Sequence, residues 1–221
     1  NRSVPRRLRL LDNHRFLLDE LLQRRHEDEA PTMRPSSFFE YFTAEQALKD
    51  YGLDSEAIES GRIGEKGHDG GVDAVYLFAN GALVPDDADE TDFSAKTPLT
   101  LYLIQSKTSP GFKESPVRLL RDTSRDFLNL SRPVSYFEGS YGMGLLAAMQ
   151  LFRDVWKWAS NHGIPPLEIR YIYATKGDTT QVQSNVERLA EELPGAVTAM
   201  LTSATAVIEL LGARELVDLT R

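Results

Sequence analysis

The stretch LTLYLIQSK, residues 99–107, decides the fold. Read as a strand, its side chains alternate between two faces. Leu101, Leu103, Gln105 and Lys107 then share one face, and Tyr102, Ile104 and Ser106 share the other. An apolar face therefore ends in an amide and an ammonium. A buried lysine is costly unless it has an anionic partner or a task. The anion is sought upstream, in GHDGGVDAVYLFANG, residues 67–81. There Asp69 and Asp73 flank a glycine pair at the mouth of an apolar run, although a strand needs neither the glycines nor an acid in that place. Asn80-Gly81 is a strong hairpin signal, with VDAVYLFA as one strand and ALV as the start of its return. If the sheet pairs in sequence order, Asp73 begins a strand two strands before residues 99–107. One carboxylate, one amide oxygen and one ammonium then converge at one sheet end.

Outward from this pair, residues 8–25 repeat leucines at helical spacing (Leu10, Leu11, Leu17, Leu18, Leu21, Leu22) and predict an amphipathic helix. HEDEAPTMRP breaks it. Residues 1–33 thus form a basic arm, free to dock on the core or on a partner, and residues 34–221 form the main domain. A second helix starts at PSSFFE, with Ser37 and Glu40 as a capping box, and runs to about Tyr51 before Gly52. Asp54 caps a short turn ending at Gly61, and GEKGHDGG is a glycine-rich loop. Downstream, Val117 to about Leu130 and Gly144 to about Ser160 read as helices, and LEIRYIYATKG as a strand. VQSNVERLAEEL reads as a helix, AVTAMLT as a strand and ARELVDL as a last helix. A meander followed by alternating helices and strands predicts an α/β fold: a mixed central sheet flanked by helices on both faces, with an extra N-terminal helix.

Composition bounds the function. The 221 residues are 41% hydrophobic and 26% charged, ordinary globular values with enough apolar material for one sizeable core. No run approaches the ~20 apolar residues of a membrane span. Without an initiator Met the chain reads as part of a longer protein. It contains no Cys, which excludes disulfides and thiolate zinc sites and fits a cytoplasmic protein. A net charge of −8 and pI near 5.1 weigh against a nucleic-acid coat. They leave room for an enzyme on nucleic acid, whose carboxylates hold metal. Charge is uneven: Arg2, Arg6, Arg7, Arg9, Arg15, Arg24 and Arg25 stud the arm, and DDADETD at 86–92 is almost all acid. Solvated faces account for both in the plainer reading.

The converging set suits phosphodiester hydrolysis. Asp73 can hold a hard divalent cation, Mg2+ or Mn2+, with the Gln105 oxygen and the Ser106 backbone carbonyl as further ligands. Such an ion lowers the pKa of its water and offsets phosphate charge. Lys107 then orients the attacking water or stabilises the transition-state charge. The glycines allow close backbone approach, and the loop amides can meet phosphate.

DGGVDAVY followed by LYLIQSK resembles the Mrr-like branch of the PD-(D/E)XK nucleases, where Gln replaces the usual second acid before x-Lys. FFEYFTAEQALKDYGLDSEAIESG, DGGVDAVYLFANG, LIQSKTSPGF and IYATKGD together resemble the N-terminal region of abortive infection phage resistance (AIPR-type) proteins, over roughly residues 35–220. The resemblance implies a restriction-endonuclease-like αβββαβ core, a metal-dependent DNA endonuclease and a bacterial anti-phage setting in the cytoplasm. The Gln leaves one carboxylate fewer for metal. Relatives usually add an acid from the preceding helix. Glu45 falls within the apolar stripe of Phe38, Tyr41, Phe42 and Leu48 and is the stronger candidate. Glu40, already assigned to the capping box, is the alternative, with Glu59 a further option. An ion pair with a nearby Arg or Lys is the plain reading of Glu45.

Other residues carry two readings each. Asp69 forms an Asp-Gly turn or ligates metal. His68 is an exposed loop histidine or a phosphate contact. Arg118, Arg121 and Arg125 share a helical face and, with Lys113, make a phosphate track or a solvated surface. Lys176 ends a strand and either touches nucleic acid or serves the loop. Trp156 and Trp158 pack in the core or an interface, or stack on bases. Ser106 has no histidine to activate it and is no nucleophile. Histidines 14, 26 and 162 form no ligand pattern. The expected partner is DNA, with RNA as the alternative and no membrane, and the first helix offers a homodimer contact. The competing function is a non-catalytic nucleic-acid-binding or sensing module on a degenerate nuclease fold.

Overall fold

The computed structural model describes residues 6–64, 68–93, 96–201 and 203–221, and for residues 6–12 the backbone alone. The arginine at 2, the side chains at 6, 7, 9, 10 and 11, and the 65–67 part of the glycine-rich loop lie outside this description. A five-stranded mixed sheet forms the centre, in the order β2-β1-β3-β4-β5. The strands are β1 (Ala74–Ala79), β2 (Ala82–Leu83), β3 (Leu99–Lys107), β4 (Leu167–Thr175) and β5 (Ala204–Leu211). β1 pairs antiparallel with both β2 and β3, while β3, β4 and β5 run parallel. The helices are α1 (Arg6–Glu29), α2 (Pro35–Ala47), α3 (Ser55–Ser60), α4 (Glu114–Phe127), α5 (Met143–Ser160), α6 (Ser184–Thr198) and α7 (Ala213–Leu219).

Alternation along the strands builds two cores, one on each side of the sheet. Val75, Leu77, Leu101, Leu103, Ile169 and Tyr171 pack with buried residues of α4, α5 and α6, among them Leu120, Phe152 and Leu193. Tyr76, Phe78, Tyr102, Ile104 and Ile172 pack instead with Leu18 and Leu22 of α1, with Phe38, Phe39 and Phe42 of α2, and with Leu216 of α7. The N-terminal helix therefore lies on the sheet's second layer, and Phe16 and Leu17 of the same helix stay exposed. Trp156 and Trp158 pack at the margin of the first core, Trp158 against Phe93. No helix among the described residues is long and apolar enough to cross a membrane.

The structure departs from the sequence reading in three places. β1 is not separated from β3: the two-residue β2 is the edge strand, so β1 lies directly beside β3 with Ala74 opposite Ile104. AVTAMLT is not a strand. α6 continues through Pro194 to Thr198, because Val186, Leu189, Leu193 and Val197 form one buried stripe. Its burial outweighs the amide hydrogen bond that proline removes. The fifth strand follows at Ala204. The capping box at Ser37 is also absent. α2 begins at Pro35, the first-turn position where proline costs nothing, and Arg34 is its N-cap. Glu40 is thereby released from a capping role.

Candidate functional site

The glycine pair makes the site possible. Gly70 and Gly71 have φ of +60° and +75°. A Cβ on Gly70 would stand 2.5 Å from Thr123 Oγ1, and one on Gly71 2.8 Å from Leu119 Cβ and 2.9 Å from Gln105 Nε2. The loop thus lies directly on α4 and on the end of β3. Asp69 Oδ1 accepts from the Gly71 amide at 2.7 Å, the turn geometry of an Asp-Gly pair. The Thr123 hydroxyl donates to Gly70 O at 2.6 Å and ties the loop to α4.

This loop delivers Asp73 to the end of β3. The Asp73 amide donates to Ile104 O at 2.8 Å, and the Ser106 amide donates to Asp73 Oδ2 at 2.6 Å. Lys107 Nζ stands 3.8 Å from Asp73 Oδ1. A strand residue turns its N–H and C=O to the same neighbour. The Ser106 carbonyl therefore faces the β1 side together with its amide. Burial pushes the Asp73 carboxyl up to about 7, against the pull of Lys107 and the Ser106 amide; Glu40 and Asp69 push it the same way as burial. Gln105 is fully buried, and neither Oε1 nor Nε2 has a partner among the described residues. A buried orphan amide costs free energy unless a ligand completes it. Gln105, Lys107, Asp69 and Gly71 line a cleft of about 380 Å³, closed by Lys113, Leu119 and Tyr173.

Asp73, Gln105, Lys107 and the Ser106 backbone thus come together. Glu45 does not join them. Arg25 donates to both its oxygens, at 2.7 and 3.0 Å, and also to Glu29, while Gln46 donates to it at 2.7 Å. The ion pair anticipated as its plain reading is the one formed. Glu40 is instead the α2 acid whose charge reaches Asp73, and Arg62 Nη2 holds it at 3.2 Å. Glu59 takes the other end of the same guanidinium at 2.9 Å. Lys113 is exposed on the rim of the cleft. Arg118 is paired with Glu114 at 2.9 Å, Arg121 lies 3.4 Å from Asp122 and Arg125 3.9 Å from Asp126. His68 is exposed, and its carbonyl accepts from the Gly142 amide. Lys176 Nζ is held by Asp19 of α1 at 2.7 Å.

Two further residues shape the site without any sequence signal. Arg62 bridges Glu40 and Glu59, an arrangement set by the fold around Gly61. Tyr173 stands beside Gln105 in the parallel register, and its hydroxyl accepts from the Lys113 amide at 3.1 Å. Among the described residues no three Asp, Glu, His or Cys side chains gather as a metal cluster. The donor set that fits a hard cation is mixed: the Asp73 carboxylate, the orphan Gln105 oxygen and the Ser106 carbonyl. No family model, no curated protein and no solved structure matches the chain.

Proposed function

We propose that the chain is a Mg2+- or Mn2+-dependent endonuclease that hydrolyses DNA phosphodiester bonds on a restriction-endonuclease-like core. The observation that carries this reading is the buried Asp73 carboxylate 3.8 Å from Lys107 Nζ, beside a fully buried Gln105 amide with no partner among the described residues. With α3 before β1 and α5 before β4 taken as insertions, the order α2, β1, β2, β3, α4, β4 supports the αβββαβ core. A cation bound there would acidify its water and offset phosphate charge. Asp73 supplies the anionic oxygen, aimed by the Ser106 amide. Lys107, 40% exposed, places its ammonium where charge develops on the phosphate. Glu40, rather than Glu45, is the helix acid of this reading. The bacterial, cytoplasmic anti-phage setting follows from the AIPR resemblance and belongs to the same proposal. Self-association through α1 would use its outward Phe16 and Leu17.

The test is nicking of supercoiled plasmid with Mn2+ or Mg2+. Asp73→Ala and Lys107→Ala should each lower the rate by about 10²-fold or more. Cleavage that persists in both variants assigns the activity to a contaminant. Binding without cleavage in either metal leaves the second reading, a nucleic-acid-binding module in which Gln105 has replaced the second acid.

A further inference from the structure

The parallel strands β3, β4 and β5 end on one edge of the sheet, the edge at which open α/β folds take ligands. The cleft of Gln105 and Lys107 opens there. Beside it, across the 108–112 loop, lies a second hollow of about 260 Å³, walled by the loops after all three strands and by α1. It is tightly built. A Cβ on Gly177 would stand 2.8 Å from Gly111 Cα and from Pro110 O, and one on Gly212 2.5 Å from Gly177 O. The three loops therefore lie backbone against backbone, joined by Ala213 N to Gly177 O at 2.8 Å and Lys176 N to Ser109 O at 3.2 Å. The two hollows share one wall.

Charge in the second hollow runs against the chain's net −8. His14, Arg15, Lys176 and Arg214 line it. Its acid, Asp178, is committed to the Thr180 amide at 3.0 Å and hydroxyl at 2.7 Å. Asp19 neutralises Lys176 at 2.7 Å. The two arginines are held loosely: Arg15 stands 3.9 Å from Asp19, and Arg214 3.7 Å from Asp218. The Arg25–Glu45 and Arg118–Glu114 pairs are tighter, at 2.7 and 2.9 Å, whereas Arg125–Asp126 on α4 is as loose, at 3.9 Å. His14 adds a buried ring nitrogen, Nδ1, with no partner among the described residues. Planar guanidinium donors left without close acceptors complement a phosphate.

We propose that this hollow is a second phosphate site, which holds a neighbouring phosphate of the nucleic-acid strand whose scissile bond lies at Lys107; it rests on the nuclease reading above. The strand then passes from Lys107 and Lys113 over the 108–112 loop to Arg15 and Arg214, and not along the arginines of α4. Binding of a labelled duplex to the full chain in EDTA, measured by fluorescence anisotropy across salt concentrations, tests the route. The double variant Arg15→Ala/Arg214→Ala should flatten the slope of log K against log salt by about 0.7–0.9, the release expected for one phosphate contact. It should also raise KM for cleavage. Both side chains are exposed, at 51% and 65%, so the fold should persist. Inorganic phosphate titrated into the wild type should shift the His14 ring resonances, and the double variant should lose that shift. An unchanged slope beside intact wild-type binding overturns the second site and leaves the nuclease reading standing. Loss of slope in Arg118→Ala/Arg121→Ala instead puts the track on α4 and also overturns it. A phosphate shift at His14 in a protein that binds no DNA overturns the nuclease reading, and the substrate assignment with it.

Discussion

Asp73 is held in a state its surroundings penalise. Its pKa, about 7 in the fold, lies above the ordinary carboxylate value of 3.8, chiefly through burial. Below about pH 4 both folded and unfolded chains carry the proton and no penalty arises. As pH rises towards 7 the unfolded chain ionises first, so the folded state loses stability, and above 7 the loss is complete. Asp73→Asn should therefore match the wild type near pH 4 and exceed it by up to roughly 4 kcal/mol at pH 8, read by urea unfolding in EDTA. A gap of one size at both pH values would refute burial as the cause. The paired acids of α2 give a second contrast at this scale. Glu40→Gln should lower cleavage by tenfold or more, whereas Glu45→Gln should spare it and cost about 1 kcal/mol through the loosened Arg25 pair. Sequence does not show how these two acids are partnered. The helical stripe placed Glu45 inward, but the partner that claims it, Arg25, comes from a helix 20 residues earlier. The capping box expected to occupy Glu40 depends on a helix start three residues later than the real one at Pro35.

At the scale of elements, the turn at Gly70-Gly71 governs the cleft. Gly71→Ala forces a side chain into φ +75° and against Leu119 and the Gln105 amide. It should cost about 1–3 kcal/mol in chemical denaturation and impair cleavage together with stability. A fully stable, fully active Gly71→Ala would show that the close approach is dispensable. The hairpin was readable from Asn80-Gly81, because both residues adopt positive φ, at 52° and 78°, as such a turn requires. β3 was readable to the residue, since its alternation carries both cores. The end of α6 was not. Pro194-Gly195 is a stop signal in local terms, and the burial of Val197 that overrides it is a tertiary fact.

For the whole molecule, α1 determines whether the second core is covered. Leu18 is fully buried against the α2 side of the sheet, and Lys176–Asp19 ties the same helix to the end of β4. Leu18→Ala should cost about 2–5 kcal/mol. Deletion of residues 1–30 should abolish cooperative unfolding, measured by thermal melts monitored in the near-UV. A truncated chain that melts sharply at the wild-type temperature would mark α1 as a detachable arm. The arm's leucines were legible as an amphipathic helix, but amphipathicity does not name the surface that receives it. The convergence of Asp73, Gln105 and Lys107 was legible because strand parity and one acid at a strand's mouth sufficed for it. The second hollow was not, because it is assembled from residues as distant as His14 and Arg214.

The aim of the Asp73 carboxylate is fixed by a peptide amide, that of Ser106, and not by a side chain. Nineteen of the twenty genetically encoded residues would present that same N–H at position 106; proline alone lacks it. Exchange for another small residue at this buried position thus leaves the acid's bearing almost untouched, whereas a large one overpacks the strand. The one exchange that would release it also sets a proline ring in a buried central strand.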